Sequence, residues 1–262
     1  MIDDTAPDSW RDLQERVARI LSECGIATAI EKVVETARGK VEIDVWAHDS
    51  SSTPPQTYLV ECKRWCDAVP QTVVHAFRTV VGDSGANWGA IVSSNGFQSG
   101  AYEAARYSNV RLLSWLEYQN LFAESWFEHH FCRLVGERCD PLVEYTEPIN
   151  SRIFKKADLL SESQRKEFVR LREAHLALAV YCMLMRSHSI GALRIALGTT
   201  APSPMPSLPL RAAVRDRIEA LGGVQLPDPV LDAMSYRGLL AAIIAESEKA
   251  IEQFDAVFGE RA

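Results

Sequence analysis

The chain has 262 residues, 47% hydrophobic and 24% charged, a composition that suits a globular protein and excludes a disordered or collagen-like one. Its formal net charge of −7 argues against holding nucleic acid by bulk electrostatics alone, although a local cleft can be basic on an acidic protein. No run approaches the roughly 18 apolar residues of a membrane span, the acidic start Met1-Ile2-Asp3-Asp4 is unlike a signal peptide, and Cys24, Cys62, Cys66, Cys132, Cys139 and Cys182 form no paired framework, so a cytoplasmic protein with reduced thiols and no membrane partner is expected.

Ser9 is placed to cap a helix from Trp10 to about Cys24, with Leu13, Val17, Ile20 and Leu21 on one face and Gly25 ending it. A hairpin from Ala27 to about Glu35 turns through Ala37-Arg38-Gly39 into a strand containing Asp44. Asp49 to Pro55 reads as a loop, because its prolines exclude a continuing strand, and the Glu61/Lys63 strand follows. Pro70 opens a helix to about Val81 with Val73, Val74, Phe77 and Val80 as its stripe. Then come a buried-type strand Trp88–Ser93, a helix Ser99–Tyr107, a short strand Val110–Leu113 and a helix from Trp115 to about Ala123. This order predicts a mixed sheet flanked by helices.

From Trp126 onward strand signals nearly vanish. Helical periods run through Ser161–Ser187, Leu210–Leu221 and Ser235–Phe258, with Leu171, Leu178, Tyr181 and Met185 marking one face of the first. The Pro-rich segment Thr199–Pro209 connects two of them. Two domains are therefore expected, residues 8–124 and a helical accessory region 125–262 suited to homo-oligomer or partner-subunit contacts.

Chemistry concentrates on two strands. Side chains alternate along a strand, so in Val41-Glu42-Ile43-Asp44-Val45 the valines and Ile43 face the core and leave Glu42 and Asp44 on the other side. In Tyr58 to Lys63, Leu59, Glu61 and Lys63 share one face and Tyr58, Val60 and Cys62 the other. Glu and Lys two residues apart on an apolar strand bury charge, which is costly unless the charges are paired or bind a metal. Asp44 and Glu61 offer the hard oxygens that Mg²⁺ prefers, with Mn²⁺ as a substitute, and substrate phosphate completes such a site. Lys63 is then positioned to orient water or offset transition-state charge. The bland alternative is a buried ion pair in which Lys63 neutralises Glu61.

Asp44 followed, after a hairpin-length gap, by Glu61-Cys62-Lys63 resembles the PD-(D/E)xK nuclease signature. The context is closest to the Mrr-like restriction endonucleases, extending through Val60–Trp65, Gly89–Phe97 and Val110–Leu113 and covering roughly residues 8–124. Ile43 stands where the motif's Pro would be. Members of this family begin with a helix carrying a Glu near the site, a position that falls here on Gln14 or Glu15. The resemblance implies an α/β (α+β) restriction-endonuclease-like core followed by a mainly α-helical region. It further implies catalytic Asp44, Glu61, Lys63 and Glu15, with Asp44 and Glu61 as metal ligands, acting in Mg²⁺-dependent endonucleolytic cleavage of DNA during restriction or defence against foreign DNA. A catalytically inactive nuclease-like module that binds DNA or a protein partner is the alternative.

Other sets are weaker. Gly82-Asp83-Ser84-Gly85 matches a protease nucleophile segment in only four residues and reads better as a helix-ending turn. Cys62, Cys66 and His75 are considered as a zinc set, but alternation points Cys62 away from the carboxylates. His129 and His130 are adjacent and diverge on a helix. Trp88 and Phe97 read as packing residues, and Lys63, Arg64, Arg78, Arg106 and Arg111 as a candidate basic patch. Walker A, GxGxxG and GxSxG segments are absent.

Overall fold

A computed structural model of the chain describes residues 1–188, 205–212 and 226–259. It divides into two compact units, Met1–His129 and His130–Ala262.

In the first unit, α1 (Trp10–Glu23) is capped by Ser9, whose Oγ accepts from the Asp12 amide at 3.0 Å. The helix stops before Gly25, whose φ of +84° suits a residue without Cβ. The chain then forms β1 (Ala27–Thr36) and β2 (Gly39–Asp49), an antiparallel hairpin, with β3 (Gln56–Lys63) antiparallel to β2. The helices α2 (Gln71–Asp83) and α3 (Ser99–Ala105) connect β3 to β4 (Trp88–Ser93) and β4 to β5 (Val110–Ser114), and both connections produce parallel pairs. The result is a five-stranded mixed sheet in sequential order, β1-β2-β3-β4-β5, the architecture expected from the chain order.

Helices cover both faces of the sheet. Leu59 and Ile91 pack with Val74, Phe77 and Val81 of α2 and with Val110. Gly89 permits this approach, since a Cβ there would lie 2.6 Å from Val81 Cγ2 and 2.8 Å from Phe77 Cε1. The opposite face is covered by α1 and by α4 (Trp115–Trp126), joined where Tyr118 Oη donates to the Val17 carbonyl at 3.0 Å. Covering on both sides explains why Leu59 and Val60, on opposite faces of β3, are both buried.

Two boundaries differ from expectation. α3 ends at Ala105 rather than Tyr107, because Arg106 turns to an extended conformation and Tyr107 adopts φ +58°. α4 runs three residues further than expected, to Trp126, and is followed by a π-helical segment, Phe127–Cys132.

The second unit is built of helices, with no strand among its described residues. α5 (Arg133–Thr146) and α6 (Ser151–Ala157) lie outside the helical stretches named from the sequence, and α5 accommodates Pro141 internally. α7 (Glu162–His188) and the long C-terminal helix α9 (Tyr236–Phe258) match expected helical stretches, while α8 (Asp228–Leu231) is a single turn. Ser235 caps α9 and Gly259, at φ +71°, ends it. α5, α7 and α9 pack on one another, with Tyr145 stacked on Phe254 at 4.7 Å and its hydroxyl donating to Asp255 at 2.6 Å. Leu171 and Leu178 are buried as the stripe on α7 predicts, yet Val169, Leu176, Val180 and Leu184 are exposed on the same helix. Most of the expected helix Leu210–Leu221 and the start of the Pro-rich connector lie outside the described residues. No helix among the described residues is long and apolar enough to cross a membrane.

Candidate active site

The site is built where β2 and β3 run side by side. Their register pairs Trp46 with Leu59 and Val45 with Val60, and Asp44, next along β2, lies near enough to Glu61 for its charge to act on the Glu61 carboxyl. Asp44 Oδ2 accepts a 2.7 Å hydrogen bond from the Cys62 amide, which ties the aspartate to the backbone between Glu61 and Lys63. One residue further, Lys63 Nζ donates to Glu61 Oε2 at 2.6 Å, with both side chains only 17% exposed. Alternation from buried Leu59 puts Glu61 and Lys63 on the α2 side of the sheet.

The electrostatics follow from this crowding. Burial pushes the Glu61 carboxyl above the usual carboxylate range, and the neighbouring Asp44 charge pushes it further, while Lys63 pulls it back. Two carboxylates with one amine between strands leave an excess of negative charge in a poorly solvated place. Glu61 Oε1 and Asp44 Oδ1 are not used by these contacts, and such hard oxygens suit a divalent cation that takes its other ligands from water and phosphate. The donor set therefore fits the metal that the motif implies. Among the described residues, no cluster of three or more His, Cys, Asp or Glu is placed to hold a metal.

Glu15 is exposed on α1, and the contacts among Asp44, Glu61 and Lys63 do not include it. Gln14, the preceding residue, is turned about 100° from it and is 0% exposed, with no hydrogen-bond partner for either carboxamide atom. One turn earlier on α1, Trp10 Nε1 donates to the Cys62 carbonyl at 3.0 Å, so this end of the helix is pinned to the motif strand. A fully buried amide without partners is costly, typically by about 1–3 kcal/mol. The helical phase of Leu13, Val17 and Leu21 already places Gln14 nearer the buried side than Glu15.

A cleft of about 560 Å³ opens beside the site. The strand register aligns Lys63, Ser93 and Ser114 at the C-terminal ends of β3, β4 and β5, and the residues that follow each of them line the cleft. Its walls include Arg64, Trp65, Ser94, Asn95 and Trp115. The loops are stitched together: the Ser94 amide donates to the Lys63 carbonyl at 3.1 Å, Asn95 Nδ2 donates to the Cys66 carbonyl, and the Val69 amide donates to the Gly96 carbonyl at 3.0 Å. Lys63 Nζ lies 5.7 Å from the centre of the Trp65 ring, so one aromatic side chain borders both the amine and the cleft. The sequence did not flag this cleft, because it forms only where three strand ends converge.

The weaker sets resolve as structure. Cys62 is fully buried, with its thiol pushed well up by burial and by the Asp44 and Glu61 charges, while Cys66 and His75 are exposed. Ser84 and Gly85 end α2, and Asp83 pairs with Arg38 at 3.0 Å. His129 Nδ1 lies 2.9 Å from the Ser125 carbonyl. Trp88 packs against Tyr58 at 4.7 Å, and Phe97 packs against the core under α2 and α3. Of the basic residues, Arg78 donates to the Ala104 carbonyl, Arg106 pairs with Glu103 and Arg111 lies over Trp88, so much of their capacity is used locally.

Comparison with known proteins agrees with the motif. Residues 8–122 match the Mrr_cat family model, described as restriction endonuclease, so the N-terminal half carries a domain of the Mrr-like restriction endonuclease type. No curated protein matches the chain. Among solved structures, the crystal structure of a protein of unknown function, AF1548, is similar at 16% identity and a TM-score of 0.35, covering 71% of this chain and 98% of that one.

Proposed function

We propose that the chain is a metal-dependent DNA endonuclease, with residues 8–124 as its nuclease domain, residues 125–262 as an accessory region for assembly or partner contact, and restriction or defence against foreign DNA as its role. The observation that carries this reading is the convergence of Asp44, Glu61 and Lys63 at one place on adjacent strands, inside the segment that matches the restriction endonuclease model.

Asp44 and Glu61 would hold Mg²⁺, or Mn²⁺ in its place, through their unused oxygens. Bound there, the cation supplies Lewis-acid polarisation of the phosphate and makes water more acidic. Asp44 is preorganised by the Cys62 amide, so little reorientation is needed on binding. Burial and the Asp44 charge push the Glu61 carboxyl up, and a cation beside both carboxylates would offset that crowding. Lys63 then has less need to neutralise Glu61, and its Nζ is available to the phosphate or to the attacking water. Of the two candidates on α1, Gln14 lies on the buried side and Glu15 on the exposed side.

A second reading draws on the 2.6 Å Lys63–Glu61 contact itself. A satisfied ion pair on a nuclease-type fold also serves a module that binds DNA or a protein without cutting. Incubating the full chain with supercoiled plasmid and with phage DNA in Mg²⁺, Mn²⁺ or EDTA separates the two. Cleavage in either metal that EDTA abolishes supports the nuclease, whereas retained DNA without cleavage in any condition favours the binding module. Undiminished cutting after exhaustive chelation contradicts the assigned mechanism.

A further inference from the structure

We infer that the cleft beside Lys63 seats one unpaired nucleobase of a DNA substrate, and that the domain therefore favours DNA containing unpaired nucleotides over perfect duplex. The inference deepens, and rests on, the reading of Asp44, Glu61 and Lys63 as a phosphodiester-cleaving site.

Position comes first. The cleft begins with the residues that directly follow Lys63, and Trp65 borders both, its ring 5.7 Å from the Lys63 amine. A nucleotide whose phosphate lies at Lys63 has its own base, or its neighbour's, within reach of Trp65. Size comes next: about 560 Å³ falls in the range of sites that enclose a small molecule and is too small for a duplex.

The lining chemistry selects a base over a second phosphate. Among the described residues, Arg64 is the one cation in the wall, and its Nε donates to the Pro7 carbonyl, where a phosphate seat calls for several free donors of positive charge. The wall instead includes two tryptophans, Trp65 and Trp115, and the polar residues Ser94 and Asn95. Trp65 is 45% exposed, a large apolar surface left open beside a charged site. Trp115 is fixed by stacking on Tyr118 at 5.9 Å and 16° between planes. Aromatic planes with a few hydrogen-bonding groups are how unstacked bases are held, by stacking and by reading the base edge. A base inside a duplex is already stacked and paired, so filling the cleft costs least where the nucleotide is unpaired from the start.

The test uses the full chain in EDTA, so that binding is read without turnover. Oligonucleotides carrying 2-aminopurine are offered as a single strand, as a duplex with the probe opposite an abasic position, and as a perfect duplex. The single strand and the abasic duplex should bind about tenfold more tightly than the perfect duplex, with a change in probe emission on stacking. Trp65→Ala should remove that preference, and Trp65→Phe, which keeps a stacking plane, should restore most of it. Equal affinity for the three DNAs, an intact preference in Trp65→Ala, or no binding of any of them overturns the inference. A protein that keeps the Trp65-dependent preference but never cuts DNA in Mg²⁺ or Mn²⁺ upholds the cleft and sinks the nuclease reading alone.

Discussion

Glu61 and Lys63, two residues apart on β3, point to the same side of the sheet and meet at 2.6 Å with both side chains 17% exposed. An ion pair this secluded loses hydration on both partners, and structural ion pairs of that kind are often no better than well-packed apolar residues. Asp44 adds a second carboxylate beside the pair, which raises the Glu61 carboxyl rather than relieving it. On the proposed reading, that second carboxylate is what a cation site calls for.

The two candidate residues on α1 predict different outcomes. Glu15→Ala, on the exposed side, should leave cleavage within about twofold of wild type, as surface substitutions generally do. Gln14→Ala should lower cleavage clearly more, because the buried carboxamide has no structural partner that explains its presence. The rates are compared on the same plasmid with folding checked by circular dichroism. A larger loss from Glu15→Ala than from Gln14→Ala returns the helix position to Glu15.

Gly89 sets how closely α2 approaches the sheet. Gly89→Ala inserts a methyl 2.6 Å from Val81 Cγ2, and the helix must shift or the strand must bend. Overpacking of this kind costs about 1–3 kcal/mol. Urea unfolding of the variant should show that loss, and an unchanged midpoint would mean the sheet gives way more easily than its packing suggests.

Asp49 holds the loop between the two motif strands. Its carboxylate accepts from the Ser51 and Ser52 hydroxyls and from both of their amides, and these bonds lower its pKa from 3.8 to about 2. A carboxyl with a lowered folded pKa contributes stability that is present above the unfolded value and is lost as pH falls through the folded one. Asp49→Asn should therefore be less stable than wild type above about pH 4 and converge with it as pH falls towards 2. Thermal melts across that window read the difference, and a gap that is independent of pH would assign the loop's stability to something other than the ionised carboxylate.

Much of the first unit was legible because its signals are local. Ser9 and Gly25 bracket α1, Asp49 to Pro55 interrupts two strands, and alternation along Tyr58 to Lys63 assigns each side chain a face. The approach of Asp44 to Glu61 also followed, since a hairpin-length gap brings the two strands together. What sequence could not supply depends on distant partners. Tyr107 takes a left-handed conformation that its residue type does not announce, α5 carries an internal proline of the kind that ordinarily argues against a helix, and the cleft needs the ends of β3, β4 and β5 together.

Lys63→Ala tests the central claim most directly, because Lys63 is the member of the site that a metal ligand set does not need. The folded variant should bind Mn²⁺ about as well as wild type, yet cleave supercoiled plasmid roughly 10²–10³ times more slowly, the scale of losing one preorganised charge in a transition state. Removing one partner of a secluded pair can itself destabilise by about 3–5 kcal/mol, so the comparison is made at a temperature where both proteins are folded. Cleavage by folded Lys63→Ala at the wild-type rate would contradict the account and leave the Glu61–Lys63 contact as an ion pair alone.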